Sequence, residues 1–129
     1  MGRPAVIAVW IGLVVAGAVG APCRYLLDGL IQDHTAGAVP WGTIVINMSG
    51  SLLLGLITGA ALYHAFPSTP KIILGTGFCG AYTTFSTWSF ESVRLLEEGA
   101  LREALVNAAL SLVVGVGAAG LGLALAAAV

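Results

Sequence analysis

Along the chain, charged residues gather in short clusters and leave long apolar runs between them. Pro4–Cys23, Thr35–Tyr63, Ile72–Phe90 and Ala104–Val129 hold no Asp, Glu, Lys or Arg, over 20, 29, 19 and 26 residues. A membrane-crossing helix needs about 20 mostly apolar residues, and each run meets or nearly meets that length. The pattern predicts helices over about 4–30, 39–63, 71–96 and 102–128. Between them, "DGLIQDHTAG" reads as a polar turn, "HAFPSTPK" as a Pro-rich break and "EEGALRE" as a last turn. The expected fold is all-α, a single four-helix transmembrane domain over residues 1–129.

Composition strengthens this reading. The chain is 58% hydrophobic and 9% charged, whereas a soluble domain carries about 25% charged residues. The opening "MGRPAVIAVWIGLVVAGAVGA" has the basic start, apolar run and small residues of a signal peptide. Three further spans follow at once, and "CRYLLDGL" continues as an amphipathic helix end, so a retained first helix is the simpler expectation. Cys23 and Cys79 lie at or inside spans, where free Cys behaves as a small apolar residue. His34 and His64 flank the second span with no Cys or carboxylate cluster at metal spacing, and read as interfacial.

Spacing within the spans carries more. "GLITG" puts Gly55 and Gly59 at the small-xxx-small interval that lets helices approach closely, and Gly115, Gly117, Gly120 and Gly122 extend the theme in the last span. Four short helices enclose too little space for a pore of their own, which points to oligomerisation. Thr43, Asn47 and Ser51 fall at i, i+4, i+8 on one face of the second span, with Thr58 seven further on. Asn107, Ser111 and Gly115 repeat the interval in the fourth. Such residues can simply glue helices together. Asn47 demands more, because an amide at mid-span has four hydrogen-bonding positions to satisfy.

The third span holds "GTGFCGAYTTFSTWSFE", residues 75–91, where glycines, hydroxyls and aromatics crowd together. Gly75, Gly77 and Gly80 weaken a helix, and Thr83 and Thr84 can bond back to their own backbone. An interruption near Gly80–Thr83 is therefore expected. It would free backbone carbonyls at mid-membrane, where protein, water or a hard cation such as sodium must satisfy them. After the break, Phe85 and Trp88 share a face at i, i+3. Their electropositive ring edges suit a small anion, and Thr84 with Thr87, or Ser86 with Ser89, could add hydroxyl donors. The plainer reading makes both aromatics core or lipid-facing.

"GAVGAPCRY", "WGTIVINMSGS" and "GFCGAYTTFSTWSFE" resemble, in order and spacing, the Fluc (CrcB) fluoride channel family. The likeness covers nearly the whole chain, and the G-x-x-T-T-F-S-T run is its most specific part. It implies an antiparallel, dual-topology dimer with two fluoride pathways in the cell membrane, acting as a passive channel that exports fluoride, not as an enzyme. Asn47, Phe85, Trp88 and Thr84 would line the pathway, with Asn107, Ser111 and Gly115 at the polar-track positions of the fourth span. The carbonyls of Gly80 and Thr83 would hold a structural, untransported Na+ at the dimer centre. Arg24 would stand near the aqueous vestibule, and Glu91 would be a structural hydrogen-bond partner.

The chain departs from that family's pattern at three positions. Trp88 replaces the second phenylalanine, keeping an electropositive edge and adding an N–H donor. Asn107 stands where some members carry tyrosine, and Gly115 where some carry serine. Fluoride is small and strongly hydrated, so neutral donors must replace its water without a fixed cation that would hold it too tightly. Rival readings are a small multidrug exporter, which needs an acid within a span, and a non-conducting subunit of a heterodimer. The first span offers no acid between Pro4 and Cys23. An intramembrane protease is disfavoured because neither histidine lies mid-span to serve as base.

Overall fold

The computed structural model describes residues 2–129. Helix α1 spans Arg3–His34 and α2 spans Trp41–Tyr63. A composite rod follows: α3 (Ser68–Ile72), a π-helical segment over Ile73–Cys79, and α4 (Gly80–Tyr82). Thr83 and Thr84 are extended, and the chain restarts as α5 (Phe85–Glu97) before closing with α6 (Leu101–Ala128). Among the described residues there is no strand. The helices α1, α2 and α6 are each long and apolar enough to cross a membrane; the segment from Ser68 to Glu97 is the broken one.

Three boundaries differ from the sequence expectation. The third helix begins at Ser68, inside the Pro-rich stretch, because Pro70 falls in its first turn, where no N–H is needed. The first helix continues past residue 30 because its polar end is self-supporting. Gln32 Nε2 donates to Asp28 Oδ2 at 2.9 Å, His34 Nδ1 lies 2.7 Å from the Leu30 carbonyl, and Thr35 Oγ1 donates to the Ile31 carbonyl at 2.9 Å. Polar side chains four apart extend a helix as readily as they announce a turn. The turn comes only at 35–40, where Gly37 takes φ +104°.

The break in the third span lies at Thr83–Thr84, whereas Gly80 is still helical. A glycine lowers helix stability by only about 1 kcal/mol, and here Gly75 and Gly77 sit in the wider π turn. The two adjacent β-branched threonines end the rod instead. Thr83 Oγ1 donates back to the Cys79 carbonyl at 2.8 Å, alongside the Thr83 N–H at 2.9 Å.

Glycine sets the closest packing. A Cβ on Gly55 would strike the Ala119 carbonyl, and one on Gly122 would strike the Leu52 carbonyl, so α2 and α6 meet backbone to backbone. Gly117 and Gly120, expected to share that role, face open space. On the other side, Gly77 of the π segment fits against Leu13 and Ala16 of α1, and Gly20 against the Phe78 carbonyl. His64 Nε2 lies 2.6 Å from the Ala126 carbonyl and ties the ends of α2 and α6. The buried apolar core is small, with Ile44, Ile46, Ile57, Leu95 and Ala104 at its centre. Large apolar side chains of α1 and α6 point outward, among them Trp10, Val14, Leu112 and Val116. That is the distribution hydrocarbon, not water, requires of a surface.

Candidate functional site

The site is built around the backbone of Thr84. Its N–H donates to Asn47 Oδ1 at 2.8 Å, and its carbonyl accepts from Asn47 Nδ2 at 3.0 Å. The side-chain amide thus replaces the acceptor that the break took from the Thr84 N–H and adds a donor to the carbonyl that opens α5. Thr84 then caps α5: its Oγ1 accepts the Thr87 N–H at 3.1 Å and donates to Thr87 Oγ1 at 3.0 Å. Such a cap typically stabilises a helix start by about 1 kcal/mol.

These substitutions release two carbonyls. In an unbroken helix the N–H groups of Thr84 and Thr87 would bond the carbonyls of Gly80 and Thr83. Here those N–H groups go to Asn47 and to Thr84 Oγ1. Gly80 is exposed, and a Cβ there would meet nothing within 4 Å. Carbonyl oxygens released from their helical partners are what a hard cation needs, so the donor chemistry fits sodium.

A cleft of about 360 Å³ opens beside the break. Asn47, Ser51, Thr83, Thr84 and Ser111 supply its polar atoms, and Phe85 and Trp88 its aromatic wall. No ionisable Asp, Glu, Lys or Arg lines it. The ring centroids of Phe85 and Trp88 lie 5.1 Å apart with planes tilted by 44°. Phe85 is 77% exposed, projecting from the open face of the chain. A second cleft of about 230 Å³ holds Arg24, Asp28, Thr43 and Thr87, and Thr84 forms a wall of both. The polar stripe of α2 is thereby divided, Thr43 to one cleft and Asn47 with Ser51 to the other.

The cleft beside the break therefore gathers Asn47, Ser111 and the aromatic pair with Gly80, Thr83 and Thr84. It does not gather Asn107, Arg24 or Glu91. Asn107 is fully buried beneath Trp88, its amide donating to Ser92 Oγ at 2.9 Å. The indole N–H of Trp88 donates to the Asn107 carbonyl at 3.2 Å, so it is directed at α6 and not into the cleft. Glu91 Oε2 is buried with no hydrogen-bond partner among the described residues. Gly115 approaches Ser51 Oγ, at 3.7 Å from a Cβ built on the glycine.

Three residues escaped the sequence reading. Tyr82, buried and stacked on Phe78 at 5.5 Å, closes the rod before the break, and its hydroxyl lies 2.8 Å from Ser49 Oγ of α2. Ser49 sits off the i, i+4 stripe of α2, which hid it. Ser92 joins Asn107 from one turn below Trp88 and reads in sequence as an ordinary helix-surface serine.

The chain matches the family described as CrcB-like protein, Camphor Resistance (CrcB), over residues 11–123. A Streptomyces avermitilis protein named fluoride-specific ion channel FluC 1 is 50% identical over 108 residues, covering 83% of this chain and 87% of its own length. A Symbiobacterium thermophilum protein of the same name is 48% identical over 118 residues, 90% of this chain and 95% of its own. A Frankia casuarinae protein, again so named, is 45% identical over 125 residues, 93% of this chain and 97% of its own. With the match running from the first helix into the last, and with the broken third span and its aromatic pair in place, this chain belongs to the CrcB-like family.

Proposed function

We propose that the chain is a fluoride-selective passive channel of the cell membrane, which lets fluoride leave the cytoplasm and so lowers its concentration there. The observation that carries this reading is the cleft beside the break. It combines amide and hydroxyl donors with two aromatic rings and holds no ionisable Asp, Glu, Lys or Arg. Such a lining can replace the water around a small anion without trapping it on a fixed cation. The relatives' shared name, fluoride-specific ion channel, supports the same ion. The protein is multi-pass, and its task involves no chemical turnover.

The working unit in this reading is an antiparallel homodimer with two pathways. Its support is the open face: Phe85 and Gly80 lie exposed beside the cleft. The carbonyls of Gly80 and Thr83 would hold sodium where the two copies meet. Bound there, the ion supplies a fixed positive field and is not itself carried. An experimental density map of the dimer is expected to hold a non-protein peak beside these carbonyls on the two-fold axis, and lipid or side-chain density in that place would remove the cation.

The deciding experiment is efflux from liposomes holding the purified chain alone. A fluoride electrode should register release once potassium is free to balance charge, with chloride retained. Equal loss of chloride, or fluoride movement only under an imposed proton or sodium gradient, would overturn the channel. Absence of release from the chain alone, restored by a second subunit, would favour the heterodimer.

A further inference from the structure

Trp88 is held through both its indole and its backbone. Its Nε1–H donates to the backbone carbonyl of Asn107 at 3.2 Å. Its own backbone carbonyl accepts from Ser92 Oγ at 2.8 Å and stands 3.5 Å from Asn107 Nδ2. Asn107 Nδ2 also reaches Ser92 Oγ at 2.9 Å, and Ser111 Oγ lies 3.4 Å from Asn107 Oδ1. The side chain of Asn107 is fully buried, and its amide is occupied by α5 and by its own helix. It is absent from the lining of either cleft. Phe85, the other half of the aromatic pair, has no such anchor and is largely exposed.

We infer that Asn107 is a positioning residue for Trp88: with Ser92 it locks α5 against α6, and the lock fixes the indole in one orientation in the cleft wall. This rests on the proposed channel reading and assigns Asn107 a role within it that involves no contact with the ion. The physical reason lies in geometry. A phenylalanine at 88 has no N–H and needs no acceptor, whereas an indole must place its donor somewhere when it leaves water. The backbone carbonyl of α6 provides that place only if α5 keeps its rotation and height against α6. The Ser92–Asn107–Trp88 bonds set both. The indole N–H is thereby turned away from the cleft, and what remains facing it is ring edge and face. Trp88 and Asn107 are thus a matched pair, the large aromatic and the amide that seats it.

The test is a double-mutant cycle read by fluoride efflux from liposomes. Asn107→Leu keeps the volume and removes the amide. One net hydrogen bond corresponds to about fivefold in a population, and Asn107→Leu is expected to lower efflux by about that factor in the Trp88 chain. In the Trp88→Phe background the same change should alter efflux by less than about twofold, the scatter found for independent sites. An equal loss in both backgrounds would overturn the inference and return Asn107 to the pathway itself. No efflux from the unsubstituted chain would instead sink the channel reading and leave the inference to a second measurement. In a chain whose only indole is Trp88 (Trp10→Phe, Trp41→Phe), Asn107→Leu and Ser92→Ala should each speed the decay of indole fluorescence anisotropy. Unchanged decay in both variants would show that neither residue holds the ring. Ser92→Ala also covers the case in which Asn107→Leu does not fold, since it removes the same link by deleting a single oxygen.

Discussion

Asn47 bonds both backbone polar groups of one residue, Thr84, and that double duty makes it hard to replace. Any substitute must offer a donor and an acceptor at the spacing of an amide. Asp offers two acceptors. One carboxylate oxygen could still take the Thr84 N–H, but the other would face the Thr84 carbonyl, lone pair to lone pair. The same charge would border the cleft. Two like charges 4 Å apart repel by about 4 kcal/mol at an effective dielectric near 20. Asn47→Asp is therefore expected to cut fluoride efflux by at least about tenfold while dimers still form on gel filtration. Full efflux in that variant would take Asn47 out of the pathway. Phe85→Ile tests the ring: it keeps an apolar side chain on the exposed face but removes the electropositive edge, and efflux should again fall by about tenfold or more. A Phe85→Ile chain that conducts normally would leave the aromatic pair without a role.

At the scale of the element, the sequence spoke clearly where periodicity carried the signal and less so where competition between local effects decided the outcome. Long uncharged runs marked α1, α2 and α6, the three helices long and apolar enough to cross a membrane, because a charge on a lipid-facing helix is costly. The end of α1 was misplaced since Asp28, Gln32, His34 and Thr35 can terminate a helix or brace it, and only their i, i+4 contacts decide. The break was foreseen near Gly80–Thr83, and it fell at the threonine end of that stretch, over Thr83 and Thr84. The π segment left no mark in the sequence beyond its glycines. Glycine spacing in α6 was equally ambiguous, because all its glycines look alike until the facing helix is known. Gly122 abuts the α2 backbone, whereas Gly117 has nothing near it. Gly122→Ala is expected to destabilise by about 1–3 kcal/mol through overpacking. Gly117→Ala should stabilise by up to about 1 kcal/mol through helix propensity. Thermal unfolding in detergent would separate the two, and equal shifts would mean that α2 and α6 do not meet at Gly122.

For the whole molecule, the balance of cations decides which way up it inserts. In the proposed four-span layout Arg3 and Lys71 lie on one side, and Arg94 and Arg102 on the other, with Arg24 near that second side but half-buried, so that it does not count in full. Orientation follows the difference in Lys and Arg between sides, and that difference is close to zero. In a background lacking Cys23 and Cys79, a cysteine added after Val129 should be labelled from outside intact cells to about half its total. Labelling near none or near all would mean one orientation and would require an oppositely oriented partner. Antiparallel pairing would bring two copies of the Thr83–Thr84 break together, and the break has a polarity of its own. The rod of α3, the π segment and α4 arrives there carbonyl end first, while α5 departs amide end first. Helix dipoles place about half a negative charge at the first end and about half a positive charge at the second. A single interruption therefore sets a cation-attracting end against an anion-attracting one, separated by two residues. The chain carries both signs of field on its backbone at one point in its fold, with no Asp, Glu, Lys or Arg at the break to supply either.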